Sequence, residues 1–251
     1  MITMNAKQYM LLVILLCGTW HSQAQQPLYL TAGKIEFEKK VNMYAQMEGE
    51  DDEWVQVIKK NMSQFRVTYH NLLFNGDSIL YTPGRSNPDN SSMEFAPLGE
   101  DNIVFTNLTA SQCVSQKKVY DERYLVKDST RQIAWKLTNE TRMIAGFECR
   151  RANALIMDSV YVVAFYTDAI IPAGGPESFN GLPGMILGVA LPHDHVSWFA
   201  TKVYAEAVPV KLLQAPAKGK ASTNKTMQEE LQTTMKRWGK YGQKNILAAM
   251  L

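Results

Sequence analysis

The histidine pair in "LPHDHVSW" is the part of the sequence best suited to chemistry. His193 and His195 are two residues apart. In a β-strand, residues at this spacing project from the same face, so both imidazoles could bind one zinc or copper ion, and a metal-dependent hydrolase is conceivable. A third ligand would have to come from elsewhere, such as Asp168 or Glu177. Because the neighbouring proline and polar residues are typical of a turn, an ordinary exposed pair of histidines is the alternative.

The cysteines and serines are weaker candidates for a chemical site than the two histidines. Cys113 and Cys149 are the cysteines beyond the N-terminal segment, and in an oxidising compartment they could pair as a disulfide. Two free buried thiols are the alternative. Neither cysteine has a Cys or His at ligand spacing, and no serine lies in a Gly-x-Ser-x-Gly elbow. The sequence therefore identifies no catalytic residue and no cofactor.

The N-terminus predicts export. Lys7 precedes a short apolar run at residues 10–17, and Ser22 and Ala24 place small residues at a cleavage site. We expect a signal peptide of residues 1–24, cut after Ala24, and a location in the periplasm, at the outer membrane or outside the cell. The run is about half as long as a membrane-spanning helix requires, and no later segment is long enough either. Cys17 raises the alternative of a lipoprotein.

The overall charge argues against nucleic acid as a partner. The chain has 26 basic and 24 acidic residues, a formal net charge of +2 at pH 7, so it lacks the positive field that binds phosphate backbones. The charge is uneven, with an acidic block at residues 48–53 and a basic tail from Lys211 onward. Two solvated faces are the simpler interpretation, and a docking surface is the alternative.

The elements that must position these residues are mainly strands. Short apolar runs between turn residues predict about ten strands in a curved antiparallel sheet, an open half-barrel, over residues 25–215. The first strand alternates, with Ile35, Phe37 and Val41 on one side. A hairpin is predicted at residues 75–77, where Asn, Gly and Asp tolerate positive φ.

Two helices complete the predicted fold. One is inserted after the first strand, where Ile58 and Met62 share a face and acidic residues precede basic ones. Residues 216–251 are expected to form a flexible linker and one basic C-terminal helix. Its apolar face is predicted to contain four residues: Met227, Leu231, Met235 and Trp238.

The most patterned stretch is "PESFNGLPGMILGVAL". Pro183 and Gly184 suit the two central positions of a type II turn, and Gly181 and Leu182 precede them. The apolar run at residues 185–191 predicts a strand buried on both faces, and the prolines and glycines upstream predict an ordered, irregular crossing. A phosphate-binding loop is the alternative, but the Lys-Ser/Thr pair and the following helix are missing.

The same stretch resembles the GLPGLI family. The resemblance extends over about residues 33–205, through "LLFNGDSILY" and "WKLTNETRMIAGFECRRA". It implies an exported protein of the Bacteroidetes envelope without an established activity, so it assigns no catalytic residue. Gly188 departs from the pattern, because an acidic residue often follows the apolar run in that family. The block "TxxIxGFxCxxA" is also similar to half-barrel periplasmic lipoprotein carriers, which is an analogy of fold.

These observations favour a non-enzymatic binding or carrier module. Aromatic residues on the predicted strands could line a concave cavity for an apolar ligand or receive a partner chain, and a packed core is the alternative. Metal binding at His193 and His195 is a second hypothesis. A structural accessory of an outer-membrane complex is the third. The sequence does not specify the oligomeric state.

Overall fold

A computed structural model describes residues 29–47, 53–90 and 96–251. The expected signal peptide and most of the acidic block at residues 48–53 lie outside the described residues. Within them the fold is mainly β, as predicted. None of the described helices is long and apolar enough to cross a membrane.

Twelve strands are found in the described part of the chain. The strands are β1 (Ala32–Asn42), β2 (Phe65–Asn75), β3 (Ser78–Pro83), β4 (Ile103–Asn107), β5 (Gln112–Val119), β6 (Glu122–Ser129), β7 (Lys136–Ile144), β8 (Phe147–Ile156), β9 (Val160–Thr167), β10 (Met185–Leu191), β11 (Val196–Tyr204) and β12 (Lys220–Ser222). The helices are α1 (Met43–Gln46), α2 (Glu53–Asn61), α3 (Asn224–Thr234) and α4 (Gly239–Met250), with short 3-10 turns at Val210–Leu212 and Lys236–Trp238.

All twelve strands belong to one open sheet in the order β12-β6-β5-β4-β3-β2-β1-β11-β10-β9-β8-β7. Most neighbours are antiparallel, and the hairpin between β2 and β3 lies where Gly76 adopts a positive φ of 54°, as predicted. The exception is β12, which pairs parallel with β6. The linker predicted to be flexible therefore contains an ordered edge strand.

The connection between β6 and β7 shows that the sheet is strongly curved. The two strands are ten inter-strand steps apart in the sheet, which would be about 48 Å if the sheet were flat. Only residues 130–135 join them, and this connection can span at most about 25 Å. The two sides of the sheet must therefore curl toward each other, which confirms the open half-barrel.

The concave side is filled by the chain itself. Residues 168–184, here called the crossing loop, leave β9 and return to β10 over the inner face of the sheet. Ile170, Phe179 and Leu182 of this loop are at most 2% exposed and pack in the main core. Trp135, from the connection between β6 and β7, donates its indole N–H to the carbonyl of Asn180 at 2.9 Å. The ordered, irregular crossing predicted here is confirmed.

Residues 181–184 form a bend that leads into β10. The N–H of Gly184 donates to the carbonyl of Leu182 at 2.8 Å, across Pro183, and the φ of Gly184 is 134°. The positive φ predicted for Gly184 is confirmed, but a type II turn has a φ of about 80° at this position, and the N–H of Met185 donates to Ile170 rather than to Leu182. The bend is therefore tighter than the type II turn that was predicted. The buried strand predicted after the bend is confirmed, since six of the seven residues of β10 are buried between β9 and β11.

The helices differ from prediction at the C-terminus. The inserted helix is present as α2, but two helices, α3 and α4, replace the single C-terminal helix. The 3-10 turn at Lys236–Trp238 separates them, and Gly239, at a φ of 55°, redirects the chain where α4 begins. Met227, Leu231 and Met235 are buried on one face as predicted, whereas Trp238 is 43% exposed because it lies past the break.

The bend can be tested by adding a methyl group at Gly184. A Cβ there would lie 2.1 Å from the carbonyl oxygen of Thr167, at a φ that side chains rarely adopt. We expect Gly184→Ala to lower the free energy of unfolding by about 3 kcal/mol. Gly146→Ala is the control, because Gly146 also has positive φ but open space around it, and should cost about 1 kcal/mol. Equal losses in urea unfolding would show that no clash occurs at Gly184.

Candidate functional site

The inner face of β1 carries a buried lysine. The odd-numbered residues from Gly33 to Val41 are buried, and Lys39 continues this alternation. Its ammonium lies 3.7 Å from a carboxylate oxygen of Glu177, which the crossing loop brings to the same place. The two side chains are 5% and 1% exposed. The crossing loop is therefore joined to the centre of the sheet by an ion pair sealed from solvent.

Both partners have further hydrogen bonds. Lys39 donates to the backbone carbonyl of Gly99 at 3.0 Å, and Glu177 accepts from the side-chain amide of Asn102 at 2.9 Å. Burial lowers the pKa of Lys39, and the nearby Glu177 partly offsets that effect. Glu177 adopts a positive φ of 52°, so its backbone is strained where its carboxylate is held. A charged pair in this setting contributes little net stability, but it fixes where the loop lies.

Three rings surround the ion pair. The Lys39 ammonium lies 5.0 Å from the ring centroid of Trp198, and the rings of His70 and Tyr81 stack at 4.9 Å. Burial is the main reason why the pKa of His70 is lowered, and the positive charge of Lys39 lowers it further. Burial and the charge of Glu177 raise the pKa of Tyr81 well above its ordinary value. The two titratable rings therefore favour their neutral forms.

The cluster cannot act on a substrate from solvent. Lys39, His70, Tyr81, Glu177 and Trp198 are each less than 5% exposed. Within the described residues, four of its atoms have no hydrogen-bond partner in the protein: His70 Nδ1, Tyr81 Oη, Glu177 Oε1 and Trp198 Nε1. Such groups destabilise a core unless water satisfies them. The arrangement therefore positions the crossing loop and has no access for catalysis.

A second polar cluster holds the end of α4. Lys117 of β5 donates to the carbonyl of Ala249 at 3.0 Å, and Arg131 donates to that of Met250 at 2.6 Å. These acceptors belong to the last turn of a helix, where carbonyls lack partners within the helix. Lys117 is buried, and this burial lowers its pKa to about 8. The cations thus attach the C-terminal helices to the concave face.

The two histidines of the predicted metal site lie in the turn between β10 and β11. His193 and His195 are exposed, and His195 has a positive φ of 53°. The strand geometry on which a shared metal ion was predicted is therefore wrong, because both residues precede β11. In the described ranges, no group of three or more His, Cys, Asp or Glu side chains is arranged to hold a metal ion.

Cys113 and Cys149 are free thiols, on β5 and β8 respectively. The disulfide considered from the sequence does not form in this structure, and the alternative of two free thiols describes it. Burial raises the pKa of Cys113, and it raises the pKa of Cys149 to about 12. Because the thiolate is the reactive form, both are weak nucleophiles.

Two pockets in the described part of the chain are lined mainly by polar residues. An open groove of about 460 Å³ lies at the β5–β6 hairpin, and it is lined by Lys118, Asp121, Glu122, Arg123, Lys218, Gly219 and Lys220. A smaller pocket, lined mainly by polar residues, includes Cys113, Lys117 and Arg131. The groove is open and charged, and the smaller pocket, at about 20 Å³, is too small to hold a lipid-like ligand.

The sequence contained a signal for the buried cations that was missed. Lys39 lies between Phe37 and Val41 in the alternating pattern of β1, so a period of two already places it inside. Lys117 has the same relation to Ser115 and Val119 in β5. Their partner Glu177 could not be located in this way, because it lies in an irregular loop with no periodicity.

The fold and this filled concave side define a class, a mainly β protein built on one open, curled sheet. Residues 155–188 match the model of a family described as a protein of unknown function (Porph_ging). The matched segment begins at the end of β8 and includes β9, the whole crossing loop and half of β10. The element that carries Glu177 therefore lies within the matched segment.

Solved structures show a similar fold. PNGF-II in the P21 and C2 space groups gives TM-scores of 0.52 and 0.51, both at 14% sequence identity. Each alignment covers 79% of this chain and 32% of the PNGF-II chain, so the chain spans about a third of the length of those structures. At this identity the likeness concerns fold alone. Comparison with curated proteins yields no match.

The ion pair can be tested by removing one charge. Glu177→Gln leaves the Lys39 ammonium buried without an anion, and we expect it to lower the free energy of unfolding by about 3–5 kcal/mol. Adding Lys39→Met should restore part of that loss. Glu140→Gln is the matched control, because Glu140 forms an exposed pair with Arg151, so its loss should cost at most about 1 kcal/mol. Additive effects of the Lys39 and Glu177 changes in denaturant unfolding would contradict the pairing.

The buried Lys117 predicts a dependence of stability on pH. Its pKa is about 8 in the folded protein and 10.5 ordinarily, so between these values the unfolded chain holds a proton that the folded chain has released. Stability attributable to Lys117 therefore rises with pH across this window, by about 3 kcal/mol. Lys117→Met should lack this rise when urea unfolding is followed from pH 7 to 10.5. Parallel pH profiles of the two proteins would contradict the lowered pKa.

Proposed function

We propose that the protein is a non-enzymatic, exported envelope module that binds a partner chain along the outer edge of its sheet. The observation that carries the proposal is that β7 ends the sheet, with β8 as its only strand partner among the described residues, while the concave side is filled. Export rests on the signal peptide expected at residues 1–24, and the envelope location rests on the resemblance to the GLPGLI family.

The filled interior is the first argument. A carrier of an apolar ligand needs a hollow lined by apolar side chains. Here the crossing loop occupies that space, with Phe179, Leu182 and Ile170 packed in the core. The groove at the β5–β6 hairpin is lined by charged residues, and the smaller pocket is too small for such a ligand. Of the two occupants considered for this module, the geometry therefore favours a partner chain over an apolar ligand.

The edge strand is the second argument. Eight of the nine residues of β7 are exposed or partly exposed, and Leu137 and Met143 expose 49% and 64% of their surface. An edge strand has backbone N–H and C=O groups that an added strand can pair with. The register of β7 on β8 shifts between Leu137 and Thr141, so the edge is regular only over short lengths. This irregularity disfavours pairing between copies and suits a short partner strand.

The comparisons are consistent with a module but do not name a partner. The similar fold makes up about a third of the PNGF-II chain, so in that protein it is combined with other parts of a longer chain. A structural accessory of an outer-membrane complex would be one form of the same function. Metal binding at His193 and His195 lacks support, because the turn exposes both side chains and, among the described residues, they are not part of a group of three or more His, Cys, Asp or Glu side chains that could hold a metal ion.

Photocrosslinking can test the edge. We expect a photoreactive amino acid at Leu137 or Met143 to give discrete crosslinked species in cells that express the protein. The same group at Leu155 or Tyr204, which are exposed on β8 and β11, should not give them. The measurement is the pattern of crosslinked bands, followed by mass spectrometry of the attached chain.

Two outcomes would contradict the proposal. Crosslinks that are as frequent at Leu155 and Tyr204 as on β7 would show that the edge is not selective. A lipid that stays bound to the purified wild-type protein in native mass spectrometry would favour the carrier alternative instead.

A further inference from the structure

Three aromatic side chains form an exposed cluster away from β7. Tyr120, Trp238 and Tyr241 are 42%, 43% and 52% exposed. The ring centroids of Tyr120 and Trp238 are 5.3 Å apart, and those of Trp238 and Tyr241 are 6.2 Å apart. Exposed apolar residues are ordinary when they occur singly, but a contiguous group of large rings is typical of an interaction site. We call these three residues the aromatic cluster.

The cluster is held in place from both sides. Tyr120 lies in the turn between β5 and β6 at a positive φ of 54°, a strained conformation for a bulky residue. The ring contacts of Trp238 with Tyr120 and with Tyr241 join this turn to α4. Burial raises the pKa of Tyr120 to about 12, and the neighbouring Tyr241 adds to this rise. The turn and the helix break at Gly239 therefore present their rings as one unit.

The surroundings of the cluster are basic. Residues 236–241, "KRWGKY", contain three exposed cations, Lys236, Arg237 and Lys240, and no acid. On the other side, the exposed Asp121 and Glu122 follow Tyr120 in the turn. The same hairpin also carries Lys118 and Arg123, which match these two acids in number and line the same groove. The three cations of the 236–241 segment thus give the cluster a net positive charge.

We propose that the aromatic cluster and its three cations bind the anionic surface of a lipid membrane. Tyr and Trp rings favour the boundary between lipid headgroups and acyl chains, because one end of each ring is apolar and the other is polar. Lys and Arg beside them are attracted to anionic headgroups. The rings are not coplanar, with 79° between Tyr120 and Trp238, which does not form the flat platform on which a sugar ring stacks. This inference is independent of the partner chain at β7.

The test is sedimentation of the purified protein with vesicles. We expect binding to phosphatidylcholine vesicles that contain a quarter phosphatidylglycerol, weaker binding to pure phosphatidylcholine, and release in high salt. Reversing the charges in Lys236→Glu/Arg237→Glu/Lys240→Glu should weaken binding by about a hundredfold. Trp238→Ala should weaken it by about tenfold.

Matched controls remove the effects of net charge and of the N-terminal segment. Lys60→Glu/Lys202→Glu/Lys211→Glu changes the net charge equally at exposed positions elsewhere, and Tyr204→Ala removes an exposed ring on β11. Both controls should bind like the wild type. All variants carry the same apolar run at residues 10–17, so its contribution cancels in the comparison.

Several results would overturn the proposal. Equal binding to neutral and anionic vesicles would show that the cations are not involved. Binding that is equally weakened by the two triple variants would show that net charge alone is responsible. Binding to soluble polyglutamate without binding to vesicles would assign the surface to an acidic protein partner instead.

Discussion

Burial of the crossing loop on the inner face of the sheet is the constraint on which the rest of the structure depends. The loop contains the irregular backbone of residues 168–184, yet it lies where a half-barrel would otherwise have an open hollow. Its polar groups must therefore find partners inside the protein. Glu177 finds Lys39 and Asn102, and the loop carbonyl of Asn180 accepts from Trp135. The sheet, the loop and the connection that crosses over it are consequently fixed together.

Because the concave side is filled, the surfaces that remain for contact with a partner lie on the outside of the molecule. A curved sheet with an empty concave face could select a ligand by shape, but here that face is core, and its charged groups are sealed. Two exposed features differ in kind: an edge strand with unpaired backbone groups at β7, and a rigid group of rings with cations beside the β5–β6 hairpin. Under the two proposals above, these unlike surfaces would contact two different components, a partner chain and a membrane.

Local patterns predicted local structure well. Alternation in β1, the Asn-Gly-Asp hairpin and the apolar run of β10 each specify an element through interactions between near neighbours in the sequence. The pairing of Glu177 with Lys39, and the docking of α4 on Lys117, depend on contacts between residues over 130 positions apart. No periodicity encodes such contacts. The strand geometry considered for the two histidines is absent for a local reason: β11 begins only at Val196, so His193 and His195 lie in the turn before it.

The pairing of β1 with β11 joins the two halves of the sheet. Strands β1–β6 are adjacent in the sheet in chain order, and so are strands β7–β11, but Lys34 pairs with Tyr204, 170 positions later in the chain. Closing a loop of that length reduces chain entropy before any contact compensates for it. Neither half can complete its central hydrogen bonding without the other. The protein is thus two antiparallel meanders joined along β1 and β11, with further links through the pairing of β12 with β6 and the ion pair between Lys39 and Glu177.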